Sequence, residues 1–229
     1  MGGIVFKRVL HPVGQGAFFT EQFFDNNRKT IFNVVYDCGE MRTKKHLELE
    51  IENTLNIERT PEVIDIMFIS HLDEDHYNGL ENLVNLKCLT KRSIVVLPLH
   101  YPLVLKLILD FYKNPANGKF ADGVYDGLRA LFDSGAKILG IDNDNNNEAI
   151  QNTILSLDDG LAGVKDYSAI KSMQPLQYKD LWYYLPFNTI LGDDRHQKFQ
   201  EALADADIDK DRLIDITYVQ ENLNKLIIA

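Results

Sequence analysis

Only two cysteines, Cys38 and Cys88, occur in the chain. Two cannot build the disulfide framework of a small secreted domain, and no cysteine cluster has metal-binding spacing. Two reduced thiols in a cytoplasmic protein are the expectation. Basic residues are also scarce: 24 Lys and Arg stand against 34 Asp and Glu, a formal net charge of −10. Such a field repels a polyanion at long range, which disfavours nucleic acid as a partner unless bound metal supplies local positive charge. Apolar runs are short as well. The longest, 94–109, is interrupted by Pro98, His100, Pro102 and Lys106, so no membrane span is expected. The N-terminus lacks the apolar stretch of a secretory leader, and Phe6 stands where a myristoylation signal wants Ser or Thr. No internal repeat or low-complexity linker interrupts the chain.

What is present is core-forming. Hydrophobic residues make up 45% of the chain and charged residues 25%, which suits a folded domain. Residues 4–10, 17–24 and 30–36 have strand character, with turns at His11–Gly16 and Asp25–Asn27. Leu47, Ile51 and Leu55 are spaced four apart, which predicts a helix over 43–55. The apolar run 63–69 suits a buried strand, 77–86 a helix, and 93–97 the next strand. Further on, helices are predicted over 103–112, 123–132 and 195–204. Strands are predicted at 137–141 and 181–185, with a polar loop at 142–147. That Asn-rich loop lacks the Gly and Glu of a calcium-binding loop.

Between the predicted strand 63–69 and the helix after it lies Ser70-His71-Leu72-Asp73-Glu74-Asp75-His76. A β-α-β unit brackets it and puts it at the C-terminal end of a strand, where sites in α/β sheets collect. Alternation points His71 and Asp73 to one side, while Asp75 and His76 reach the same point from the turn into the helix. Mixed imidazole and carboxylate donors suit Zn²⁺, with Mn²⁺ or Fe as alternatives. Four such groups would hold up to two ions, His71 and Asp73 on one, Asp75 and His76 on the other. Glu74 falls between ligands and is expected to point away. Tyr77 would either meet an oxyanion or pack beneath the helix. His100 reads as a loop residue beside Pro98 and Pro102; His11, on the first strand before the Gly-rich turn, and His46, on a charged helix beside Lys44 and Lys45, read as structural and not as ligands.

The motif resembles the metallo-β-lactamase fold family, whose signature is His-x-His-x-Asp-His. With Asp73 in place of the second His it is similar to the hydrolase domain of DNA-uptake competence proteins. Gly14-Gln15-Gly16, Asp37-Cys38-Gly39 and Asn78-Gly79 support the resemblance, which covers 4–98 of a single domain spanning 1–229; 99–229 is divergent or an insertion. The resemblance implies a four-layer αββα sandwich with metals at one edge of its sheets. It implies a hydrolase of a phosphodiester or related small-molecule ester that uses metal-activated hydroxide. His71, Asp73, Asp75 and His76 would be ligands, with Asp75 also catalytic and Asp37 behind them orienting a metal-bound imidazole.

The family also supplies a bridging Asp and a later His, for which Asp193 (in Gly192-Asp193) and His196 are the candidates. Two readings stay open. Either the chain is an incomplete version of the family domain, or Asp193 and His196 complete the site in an unusual arrangement. In the first, an unpaired sheet edge would favour a homo-oligomer, and the fold would serve as a catalytically impaired module for assembly or ligand sensing.

Overall fold

A computed structural model describes residues 4–98, 127, 130, 131, 133–142, 154–158, 161, 167–188, 201–209 and 222. Three antiparallel strands open the fold: β1 (Val5–Leu10), β2 (Phe18–Phe24) and β3 (Thr30–Cys38). The chain then crosses over through α1 (Lys45–Leu55) to β4 (Ile66–Phe68), which lies parallel to β3. Short helices α2 (Glu74–Tyr77) and α3 (Leu80–Asn85) lead to β5 (Ile94–Pro98), and β6 (Lys137–Asp142) follows. Four short strands come next: β7 (Leu155–Ser156), β8 (Tyr167–Lys171), β9 (Leu176–Tyr178) and β10 (Trp182–Tyr184). They form two sheets, a seven-stranded mixed sheet in the order β1-β2-β3-β4-β5-β6-β8 and a three-stranded sheet in the order β10-β9-β7.

The central strands of the large sheet are apolar on both faces, and alternation sorts their side chains into two cores. Val35, Met67, Val95, Leu97 and Ile138 meet Leu47, Ile51 and Leu55 of α1 and Leu80 and Leu83 of α3. Val34, Ile66, Ile94, Val96, Leu139 and Ile141 meet Leu176, Tyr178 and Tyr184 of the small sheet. Phe32 and Tyr178 stack across that second interface at 3.8 Å between ring centroids. The order is helices, large sheet, small sheet, an α/β architecture. No described helix is long and apolar enough to cross a membrane.

Two local features depart from the sequence reading. The helix predicted over 77–86 begins earlier, at Glu74, and is broken at Asn78-Gly79. The break has a cause: Gly79 N–H donates to the Cys38 carbonyl at 2.8 Å, and a Cβ on Gly79 would lie 2.6 Å from Cys38 Sγ. Helix α1 starts without a capping side chain of its own, since Lys44 at the N-cap makes no such bond. Buried Glu40 substitutes for it by accepting from Leu47 N–H at 3.1 Å, with Thr43 Oγ1 and His46 Nδ1 on the same carboxylate. Burial opposes ionisation of Glu40, yet those hydrogen bonds outweigh it and hold the carboxyl below its ordinary range. His46 is thus a surface partner of that cap. The predicted helix 103–112 lies outside the described residues; of 123–132 only 127, 130 and 131, and of 195–204 only 201–204, are described, and all of these are helical. The polar loop 142–147 is described only at Asp142, where β6 ends.

His11, directly after β1, is part of the core. Its ring stacks on Phe18 at 4.2 Å, Nδ1 meets Glu50 Oε2 at 2.8 Å, and Nε2 meets Thr20 Oγ1 at 3.0 Å. It ties β1 and β2 to α1. Burial depresses its pKa below the ordinary 6.5, outweighing the opposing pull of Glu50. The unfolded chain takes up a proton near pH 6.5 that the folded chain takes up only at lower pH. Stability from this group is therefore complete above pH 6.5 and lost as pH falls through the folded value. Urea midpoints measured from pH 7.5 down to 5.5 should fall, and more steeply in the wild type than in His11→Gln. Equal slopes would remove His11 as the cause.

Candidate metal centre

The motif leaves the large sheet at the C-terminal end of β4, where Ile69 N–H still donates to the Val96 carbonyl at 2.8 Å. Ser70 is the first residue free of the ladder, and it is anchored at once. Its N–H donates to Asp37 Oδ1 at 2.7 Å, and its hydroxyl donates to Asp37 Oδ2 at 2.7 Å. Asp37 itself, the buried penultimate residue of β3, sits in the left-handed region at φ 50°. Asp adopts that conformation at lower cost than most residues. The turn it makes directs the carboxylate across to β4.

Asp37 and Ser70 fix both imidazoles. His76 Nδ1 lies 2.9 Å from Asp37 Oδ2 and 3.3 Å from Ser70 Oγ, and His71 Nδ1 lies 2.9 Å from Ser70 Oγ. A carboxylate only accepts, so His76 Nδ1–H donates to it. The serine proton is committed to Asp37, so its oxygen accepts from His71 Nδ1–H. In the tautomer with hydrogen on Nδ1, each ring has its lone pair on Nε2. Each Nε2 faces a carboxylate. His71 Nε2 is 3.3 Å from Asp73 Oδ2, and His76 Nε2 is 3.9 Å from Asp75 Oδ1. The two ring centroids are 3.9 Å apart.

His71 and Asp73 thus lie on one side of the extended segment, and Asp75 and His76 lie together on the turn into α2. Asp73 occupies the N-cap position of α2, where an Asp ordinarily accepts from the helix's own N–H groups. Here it makes no such bond, and its side chain turns to His71 instead. Glu74 begins the helix and joins neither pair. Tyr77 is fully buried in the core beneath the motif, which is the packing alternative. Asp193, His196 and His100 lie outside the described residues.

A platform of backbone supports the motif from behind. A Cβ on Gly39 would collide with the Asp75 carbonyl carbon and oxygen and come within 2.5 Å of His76 N; one on Gly16 would lie 2.9 Å from the Asp75 oxygen. Ala17 N–H donates to that oxygen at 3.1 Å, and Gly39 N–H donates to Ala17 O at 2.9 Å. Asn78 closes the platform, since Oδ1 accepts from Glu40 N–H at 3.1 Å and Nδ2 donates to Glu40 O at 2.8 Å. The three short motifs around residues 14–16, 37–39 and 78–79 thus meet at one place, under Asp75 and His76. Sequence reading passed over Ser70 and Glu40. A hydroxyl directly before the first His was the available signal for Ser70; Glu40 carries none, because its role depends on a turn that brings it back to α1.

In kind, the donors fit a divalent cation: two Nε2 atoms, each beside a carboxylate, with each Nδ1 held by a second partner. In number each pair is short. Protein metal sites use three or more ligands, and among the described residues no group of three or more His, Cys, Asp or Glu side chains is arranged to hold an ion. Asp73 is 74% exposed and His71 46%, so rotation of either meets little packing resistance. No family model matches the chain, and no curated protein matches it.

Proposed function

We propose that the chain is a metal-dependent hydrolase of the metallo-β-lactamase fold type, acting on a phosphodiester or related ester. One observation carries this reading: a single Asp37–Ser70 pair engages Nδ1 of both imidazoles, and each Nε2 faces a carboxylate. A surface turn rich in charge has no need of such an arrangement. The layer order of helices, large sheet and small sheet supports the four-layer αββα assignment.

In this reading His71 and Asp73 hold one ion and Asp75 and His76 a second, with Zn²⁺ favoured and Mn²⁺ or Fe as alternatives. A cation there supplies Lewis acidity and makes hydroxide available at neutral pH. Asp37 and Ser70 keep the imidazoles from turning. The Asp75 side chain is only 16% exposed, and its Oδ1, 3.9 Å from His76 Nε2, would accept the proton that the attacking water gives up.

A second reading rests on the donor count: the fold serves as a binding or assembly module with a vestigial site. One experiment separates the two. The purified chain is stripped by chelator, reloaded with Zn²⁺ or Mn²⁺, assayed for bound metal and tested on bis-p-nitrophenyl phosphate. The hydrolase reading expects at least one ion per chain and turnover that depends on it. It also expects a loss of about 100-fold or more in His76→Ala, beyond the 10–100-fold typical of groups that only orient ligands. Substoichiometric metal, no turnover and an unchanged melting temperature on adding chelator would leave the module.

A further inference from the structure

A cavity of about 410 Å³ opens between the two sheets at the C-terminal ends of β4, β5 and β6. Its near end is Ser70, the residue that holds His71 and Asp37. Its walls are aromatic: Tyr36, Phe68, Trp182, Tyr184 and Phe187. Tyr36 and Phe68 stack at 5.1 Å, and Tyr184 leans on Phe68 at 5.3 Å. The size lies within the range of small-ligand pockets.

The polar atoms around this cavity are already engaged with one another. Glu21 is 2% exposed and accepts from Arg8 Nε and from the Tyr184 hydroxyl at 3.2 Å. The Arg8 guanidinium lies 5.2 Å from the Trp182 ring. Its Nε is bonded to Glu21, which balances its charge. Tyr184 turns its hydroxyl to buried Glu21, which leaves ring surface for a ligand. At the rim Phe187 is 63% exposed and Leu185 43%. Apolar side chains grouped at the mouth of a pocket mark a place where apolar surface is covered by a ligand.

We propose that this cavity receives an uncharged aromatic ring carried by the substrate, with the ester group at the Ser70 end, beside His71. This deepens the hydrolase reading and rests on it for the identity of the reacting group. The substrate class is then an aryl ester or aryl-bearing phosphodiester.

Trp182 is the single tryptophan of the chain, so its fluorescence reports on the cavity directly. Phenylphosphonate and methylphosphonate are titrated into the chelator-stripped and the metal-loaded protein. Phenylphosphonate is expected to change Trp182 emission and to bind about tenfold or more tighter than methylphosphonate, whose apolar surface is much smaller. Phe187→Ala is exposed enough to fold normally, and should weaken phenylphosphonate severalfold while leaving methylphosphonate unchanged. Equal affinity for the two phosphonates, or binding without an emission change, would overturn the proposal. Ring-selective binding by the stripped protein together with no turnover would uphold the cavity and sink the hydrolase reading, so the two failures are distinguishable.

Discussion

Gly39→Ala is expected to abolish tight metal binding and to destabilise the fold by about 3 kcal/mol or more, at the upper end of overpacking costs. The reason is the identity of what the new methyl group would strike. A Cβ at Gly39 meets the Asp75 carbonyl and His76 N, which are backbone atoms of the motif itself. A flexible side chain would swing aside; a main chain pinned by Ala17 N–H and by the Asn78–Glu40 bonds moves only as a unit. Displacing it carries Asp75 and His76 away from Asp37. Gly14→Ala supplies the control. Gly14 has φ 76° and no atom within 4 Å of a built Cβ, so only the left-handed backbone cost of about 1–2 kcal/mol applies, and metal binding should be intact. Urea denaturation and competition with a chromophoric chelator measure both quantities. Wild-type metal affinity in Gly39→Ala would show that the platform does not position the site.

Much of the first half of this molecule was legible in its sequence, for physical reasons that can be named. Strands β1 to β3 are bounded by turn residues and carry β-branched and aromatic side chains, and α1 buries the three residues whose four-residue spacing predicts it. The pairing of His71 with Asp73 follows from strand alternation alone. The rest depends on contacts between residues far apart in the chain. Nothing local announces that Asp37 reaches Ser70 across 33 positions, or that Asn78-Gly79 breaks a helical pattern to seat against Cys38 and Glu40. Strands β7, β8 and β9 are two, five and three residues long, too short for a period to emerge from their neighbours. Only β10, with its aromatic run, stood out. The structure divides that run: Tyr184 is buried, while Leu181, Tyr183, Leu185 and Phe187 are exposed.

Asp37 is where backbone geometry and chemistry meet, and two substitutions separate them. Its carboxylate accepts from three donors: Ser70 N–H, the Ser70 hydroxyl and His76 Nδ1–H. Asn keeps the size and tolerates the left-handed backbone almost as well, but offers one acceptor oxygen and an NH₂ that faces donors. Asp37→Asn is therefore expected to lose 10–100-fold in metal affinity, the usual consequence of releasing a metal-bound imidazole. It should also lose about 1–3 kcal/mol for the buried donor left unmatched. Ala removes every acceptor and adds a left-handed backbone penalty of about 1–2 kcal/mol. Asp37→Ala should thus fall further in stability than Asp37→Asn, while its metal affinity is at least as poor. Ser70→Ala completes the series: it frees His71 Nδ1 but leaves Asp37 bonded to His76, so its loss of affinity should be smaller than that of either Asp37 variant. If Asp37→Asn held metal as tightly as the wild type, the imidazoles would owe their orientation to packing, and the shared Asp37–Ser70 anchor would be a fold contact without a chemical role.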